Sequence, residues 1–212
     1  MERFGFVGLP NAGKSSLFNA LAGGGALAAP YAFATTDPNV GVVKVPDHRL
    51  DALAEMSASR KVVNSTTEFV DIGGLVEGAS QGEGLGNKFL AGIREVDALV
   101  FVLRSFDDED VPGPSDPLEH LRIVEIELTL ADLESVESRI DRRRKALRTD
   151  PRDPDLVAEV DALEVALSLL SDGTPLFRAE LSDDRRTALR EHFLLTNKPV
   201  MAVLNIGEDQ LE

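Results

Sequence analysis

The sequence predicts an α/β fold: a mainly parallel sheet covered by helices, with an antiparallel helical hairpin inserted before its last strand. Three observations predict it. Short apolar runs alternate with helical patterns over the first half of the chain, a glycine-rich turn joins the first run to the first helix, and a long strand-free stretch with helical spacing occupies the second half. At 212 residues with 43% hydrophobic residues the chain can build one sizeable core with a subdomain attached.

The first run is Phe4–Val7. It is followed by Gly8-Leu9-Pro10-Asn11-Ala12-Gly13-Lys14-Ser15 and then by the apolar-periodic segment Ser16–Leu21. A strand that delivers the chain into such a turn, with a helix behind it, is a phosphate-binding loop. Backbone N–H groups wrap the phosphates and the helix N-terminus faces them. Lys14 is expected to reach the β- and γ-phosphates and the Ser15 hydroxyl to ligate Mg2+. Asn11, Ala12, Gly13, Lys14, Ser15 and Ser16 are the expected nucleotide contacts of this loop.

Further runs at Val40–Val45, Glu68–Val70, Ala98–Leu103 and Val200–Leu204 are short and near-continuous, as buried strands are. Helical patterns cover Ser15–Leu21, Arg49–Met56 and Asn87–Val96. The run Glu68–Val70 carries Asp71-Ile72-Gly73-Gly74 at its end. Asp71 can hold Mg2+ through water and Gly74 can offer its N–H to the γ-phosphate. Between Gly23 and Asn39 the pattern lapses, and Thr35 or Thr36 can ligate Mg2+ and sense the γ-phosphate; the other reading is a plain turn. Gly78, Gly82, Gly84 and Gly86 read as a loop, so the two segments read as two switches. Lys14, Thr35 and Gly74 are thus the candidate catalytic residues, with Ser15, Thr35 and Asp71 around the metal. Leu75 stands where Ras-like GTPases carry a glutamine that orients the attacking water, and it has no donor or acceptor for that task. Hydrolysis is expected to be slow, or to depend on a group supplied from elsewhere. The Asn11 oxygen could help hold K+ against the phosphates, or Asn11 could hydrogen-bond within the turn; both readings stay open.

From Asp116-Pro117 to Asp172-Gly173 nothing reads as a strand. Leu156, Val160, Leu163, Leu167 and Leu170 form a heptad seam, and a preceding helix carries Leu121, Val124, Leu128 and Ala131, then Leu133, Val136, Ile140 and Leu147, with a register irregularity between the sets. Thr149-Asp150-Pro151-Arg152-Asp153-Pro154 breaks the pattern, which predicts a coiled-coil hairpin over about 117–171 with a longer arm of about thirty residues, ~45 Å. Ser182–Leu194 reads as one more helix. Residues 1–106 are read as the first part of the nucleotide-binding domain, 107–196 as the insertion, and 197–212 as the last strand with a base-recognition loop. The hairpin end carries Arg142-Arg143-Arg144-Lys145 and Arg148, read either as a solvated helix end or as a basic finger for RNA or another acidic partner.

That loop is Asn205-Ile206-Gly207-Glu208, where guanine-specific enzymes have N-K-x-D. Asn205, Ile206 and Glu208 are the candidate base contacts. An Asp in the last position accepts two N–H bonds from guanine; here a longer Glu replaces it and Ile206 replaces the Lys, which leaves room for adenine. ATP is therefore expected to be preferred or at least accepted.

The net charge is −15, but residues 1–105 hold 9 Lys/Arg against 11 Asp/Glu, so the acidity belongs to the second half. No apolar run approaches the ~20 residues that cross a bilayer, there is no cysteine, and Met1-Glu2-Arg3 leads straight into the first strand. These features point to the cytoplasm, with no membrane and no DNA partner expected.

Gly8–Phe18, Asp37–Val43, Glu68–Gly86 and Ile93–Leu99 closely resemble the YchF family of Obg-related P-loop NTPases, and the similarity runs through essentially the whole chain. The resemblance implies a Ras-like G domain, an ATPase of the translation-factor-related GTPase class, and association with ribosomes or ribosomal RNA. It also implies phosphate and magnesium contacts at Lys14 and Ser15, the switch threonine at Thr35, the metal and γ-phosphate pair at Asp71 and Gly74, and a base contact at Asn205. Ala32 departs from the family's usual proline. The family continues past the last strand into a further base-side loop and a TGS domain, so the chain is expected to be a fragment. Two other functions remain: a small-molecule kinase, which needs an acceptor pocket and phosphate-closing arginines, and a nucleotide-binding scaffold with negligible hydrolysis, which Leu75 favours.

Overall fold

The computed structural model describes residues 1–23, 39–72, 85–108, 111 and 113–211. Strands β1 (Arg3–Val7), β2 (Asn39–Lys44), β3 (Thr66–Asp71), β4 (Ala98–Arg104) and β5 (Val200–Asn205) form one sheet in the order β2-β3-β1-β4-β5. The β1/β3, β1/β4 and β4/β5 pairings are parallel and the β2/β3 pairing at the edge is antiparallel. The sheet is therefore mainly parallel, as expected. In consequence β1, β3, β4 and β5 all end at the same side, where residues 8–14, Asp71, Arg104 and Asn205 meet.

Alternation along β4 explains both layers. Val100 and Val102 pack with Phe6 of β1, Ala12 of the turn after it and Phe18 of helix α1 (Lys14–Gly23), while Leu99, Phe101 and Leu103 pack with Phe89, Leu90 and Ile93 of α3 (Leu85–Arg94). Being covered on both sides, β4 reads as an unbroken apolar run. Helix α2 (His48–Met56) buries no residue. Gly86, expected in a loop, falls inside α3.

Helix α4 (Pro117–Thr149) is continuous over 33 residues. It starts with Asp116 accepting from the Leu118 N–H and with Pro117 in its first turn, where a missing N–H costs nothing. Asp153 and Pro154 start α5 (Pro154–Ser171) in the same way. The two helices run antiparallel. The register irregularity has a physical reason: Val124, Leu128 and Ala131 pack into the sheet core, whereas Val136 and Ile140 pack against Ala162, Leu163, Ala166 and Leu170 of α5. One helix serves two cores, and its apolar stripe shifts where it changes partner.

Two further expectations need correction. Ser182–Leu194 is not one helix: α6 (Asp183–Ala188) ends at Leu189, a single 3-10 turn follows at Arg190–His192, and Phe193 turns left-handed with φ 52°. That bend drops Leu189 and Leu194 into the hairpin core. Strand β5 is not a buried strand either. It pairs with β4 alone among the described residues, and Met201 and Leu204 are exposed.

Candidate functional site

The turn after β1 is shaped by close approaches. A Cβ at Gly8 would lie 2.4 Å from the Val102 carbonyl oxygen, and one at Gly13 would lie 2.2 Å from the Asn205 amide nitrogen. Gly13 also has φ +95°, a left-handed conformation that only glycine adopts without strain. Asn11 is left-handed too, with φ 62°, which asparagine tolerates better than most residues. Its side chain is exposed and makes no hydrogen bond within the turn among the described residues. Ala12 is fully buried, while Ser15 and Ser16 are exposed at the start of α1.

Lys14 is 6% exposed, and its Nζ donates to the Leu9 carbonyl at 2.8 Å. Burial lowers its pKa from the ordinary lysine value, against the opposing field of Asp71. A buried ammonium with three donors, one of them bound to a loop carbonyl, is short of negative charge. The phosphates of a nucleotide would supply it.

The Ser15 hydroxyl donates to Asp71 Oδ2 at 2.6 Å, across 56 residues of sequence. The other oxygen, Oδ1, is buried without a hydrogen-bond partner among the described residues. A hydroxyl and an orphaned carboxylate oxygen side by side suit Mg2+, which binds through one or two such groups plus phosphate oxygens and waters. Among the described residues no cluster of three or more His, Asp or Glu could hold a metal by itself, so a cation here would rely on the nucleotide for the rest of its shell.

At the end of β5, Asn205 Nδ2 donates to the Ala12 carbonyl at 3.0 Å, binding the last strand to the loop after β1. Gln210 Oε1 accepts from the Gly207 N–H at 2.8 Å, and its amide donates to the Ser105 carbonyl at 3.0 Å. Ile206 and Glu208 are exposed on this loop. Thr35, Thr36, Gly74, Leu75, Gly78, Gly82 and Gly84 lie outside the described residues. The structure thus brings together Asn11, Ala12, Gly13, Lys14, Ser15, Asp71 and Asn205 at the C-terminal ends of the parallel strands.

Sequence reasoning missed Arg104. It is 2% exposed, and its guanidinium donates to the carbonyls of Phe106 and Val111, both at 3.0 Å, while lying over the Phe106 ring at 4.8 Å. It holds the segment that Gln210 contacts. The signal in the sequence is an arginine ending an otherwise apolar strand, where a buried cation must find several carbonyls.

A family model described as "50S ribosome-binding GTPase" matches residues 3–149. The chain is 44% identical over 210 residues to a Bacillus subtilis protein named ribosome-binding ATPase YchF, covering 98% of this chain and 57% of that protein. It is 48% identical over 211 residues to the protein of the same name from Haemophilus ducreyi, covering 98% and 58%. The solved structure of the Schizosaccharomyces pombe YchF GTPase superimposes with a TM-score of 0.77 at 35% identity, covering 98% of this chain and 57% of that one. The chain spans a little over half the length of these relatives. Among the described residues no helix is long and apolar enough to cross a membrane.

Proposed function

The chain belongs to the 50S ribosome-binding GTPase family, and from that premise we propose that it is a nucleotide-dependent molecular switch that binds and slowly hydrolyses ATP with Mg2+. The observation that carries the reading is the triad Lys14, Ser15 and Asp71, an under-compensated ammonium beside a hydroxyl and a half-free carboxylate. Lys14 would exchange the Leu9 carbonyl for the β- and γ-phosphates, and the loop's N–H groups with the start of α1 would hold the phosphate oxygens. Ser15 and Asp71 would hold Mg2+, which neutralises charge developing on the transferred phosphoryl group. Thr35 and Gly74 would complete the contacts to the metal and the γ-phosphate, and Asn11 would add its oxygen to a K+ ion.

Asn205, Ile206 and Glu208 would receive the base, with the glutamate favouring adenine over guanine. Residues 107–196 are read as an insertion that presents the hairpin to a ribosomal partner, in keeping with the names of the relatives and with action in the cytoplasm. The test is a side-by-side titration with ATP and GTP, followed by phosphate release with and without ribosomes and with K+ exchanged for Na+. Tighter binding of ATP and slow release stimulated by ribosomes are expected. Tighter binding of GTP overturns the base assignment. Binding without release under every condition favours the second reading, a scaffold that hydrolyses nothing, which apolar Leu75 supports.

A further inference from the structure

Strand β4 ends on a cation that the chain buries. Between Arg104 and the start of α4 at Pro117 the described residues form neither helix nor strand, so their carbonyls have no sheet or helix ladder to enter. The guanidinium serves them instead. It donates to the Phe106 and Val111 carbonyls at 3.0 Å and to the Asp108 and Gly113 carbonyls at 3.4 Å, which takes a planar fork of several N–H groups. His120 Nε2, 2.7 Å from the Pro114 carbonyl, secures the far end of the same segment to α4. An apolar side chain would fill this end of the strand at a smaller desolvation cost, but it could not gather these carbonyls.

The segment that Arg104 gathers supports the loop after β5. Arg104 stands opposite Asn205 in the parallel register of β4 and β5. The next residue, Ser105, donates its N–H to the Asn205 carbonyl at 2.8 Å, and its own carbonyl accepts from Gln210 Nε2 at 3.0 Å. Gln210 Oε1 in turn accepts from the Gly207 N–H at 2.8 Å, which folds residues 207–210 back on Ser105. Gly207 also faces Phe106: a Cβ added to it would lie 3.6 Å from the Phe106 Cβ, an ordinary contact. Ser105 and Phe106 therefore support Asn205, Gly207 and Gln210, and between these supports Ile206 and Glu208 are exposed.

We propose that Arg104 is a positioning residue for base recognition: by drawing in the segment after β4 it seats Ser105 and Phe106, which hold Asn205, Ile206 and Glu208 in the shape that receives the base. The proposal rests on the reading of residues 205–208 as the base loop. The grip on the triphosphate belongs to the loop after β1 and to Lys14. Loss of the guanidinium therefore changes how well one base is told from another and leaves the hold on the phosphates.

The test is calorimetric titration of ATP, GTP and UTP, each with Mg2+, into the wild type, R104Q, R104K, Q210A and E208A, with a thermal melt of every variant. The three nucleotides share ribose and triphosphate, so the affinity ratio of the tighter purine to UTP isolates the base. In R104Q the purine is expected to bind about tenfold more weakly, the worth of one or two misplaced hydrogen bonds, while UTP affinity is unchanged and the ratio collapses. R104K keeps the cation without the planar fork and falls between. Q210A, which cuts the last link at an exposed residue, lowers the same ratio at a wild-type melting temperature. Should R104Q not fold, R104K and Q210A decide by that ratio. Purine and UTP weakened equally, with the ratio kept, overturns the proposal, because the arginine then only supports the fold. E208A keeps the two readings apart. A ratio lowered in E208A but kept in the Arg104 variants leaves the base loop standing and removes Arg104 from it, whereas a wild-type ratio of one removes the base loop and the proposal with it.

Discussion

Lys14 shows how one side chain couples fold to function. Its ammonium is buried against the Leu9 carbonyl with a lowered pKa, so the loop holds an incompletely neutralised cation. Lys14→Ala should relieve that burial and leave the fold intact while abolishing triphosphate binding, because it removes the main cation facing the phosphates. Titration with a fluorescent ATP analogue alongside a thermal melt checks both halves; retained affinity would remove Lys14 from the site. Gly13 belongs to the same scale. The sequence announces it as a loop glycine, but the reason that it must be one includes Asn205, 192 positions later, whose amide fills the space of a Cβ.

Among elements, α4 carries the most structure. Asp132, buried in its middle, accepts from the Leu195 and Thr196 N–H groups at 2.8 and 2.7 Å and from the Thr196 hydroxyl at 2.7 Å. Burial pushes its pKa up while these three bonds pull it down. They fix the turn that launches β5. Asp132→Asn would point an amide at an N–H donor, and urea denaturation should report a loss of about 1–3 kcal/mol for each orphaned donor. The hairpin also has a pH dependence. His192 is buried between Glu159, Arg139 and Arg143, and burial is the main cause that lowers its pKa below the ordinary 6.5, with Arg139 and Arg143 adding to it and Glu159 opposing. Since the unfolded chain binds the proton more tightly, His192 contributes stability above pH 6.5 that is lost as pH falls through its folded pKa. Melting temperature plotted against pH should fall on this limb for the wild type and more gently for His192→Gln; parallel curves would show that His192 contributes nothing. Neither network was legible in the sequence. The break at Thr149–Pro154 was, because it acts within a few residues, whereas Asp132 acts on residues 63 and 64 positions away.

At the scale of the whole molecule, two cores meet on one helix. The sheet core holds Phe101, Leu103, Val124 and Leu128, and the hairpin core holds Ile140, Leu163, Leu170 and Leu176. Leu163→Ala should cost about 2–5 kcal/mol and raise hydrogen exchange over residues 136–194 while ATP affinity holds; equal loss of protection in β1 and β4 would show that the cores unfold as one. The sequence by itself determined the phosphate loop, the strand and helix runs, the hairpin and its turn, since each is set by neighbours within a few residues: a turn's backbone angles, a two- or four-residue apolar period, a capping side chain. Only the tertiary structure decided that Ser15 meets Asp71, that Asn205 closes on Ala12, that β5 lies at an edge, and that Arg104 gathers the carbonyls of the segment after β4. Parallel strands are joined by crossovers whose length says nothing about which strands become neighbours, so the partners that complete the site are fixed by packing, and packing is not written in any local stretch of the chain.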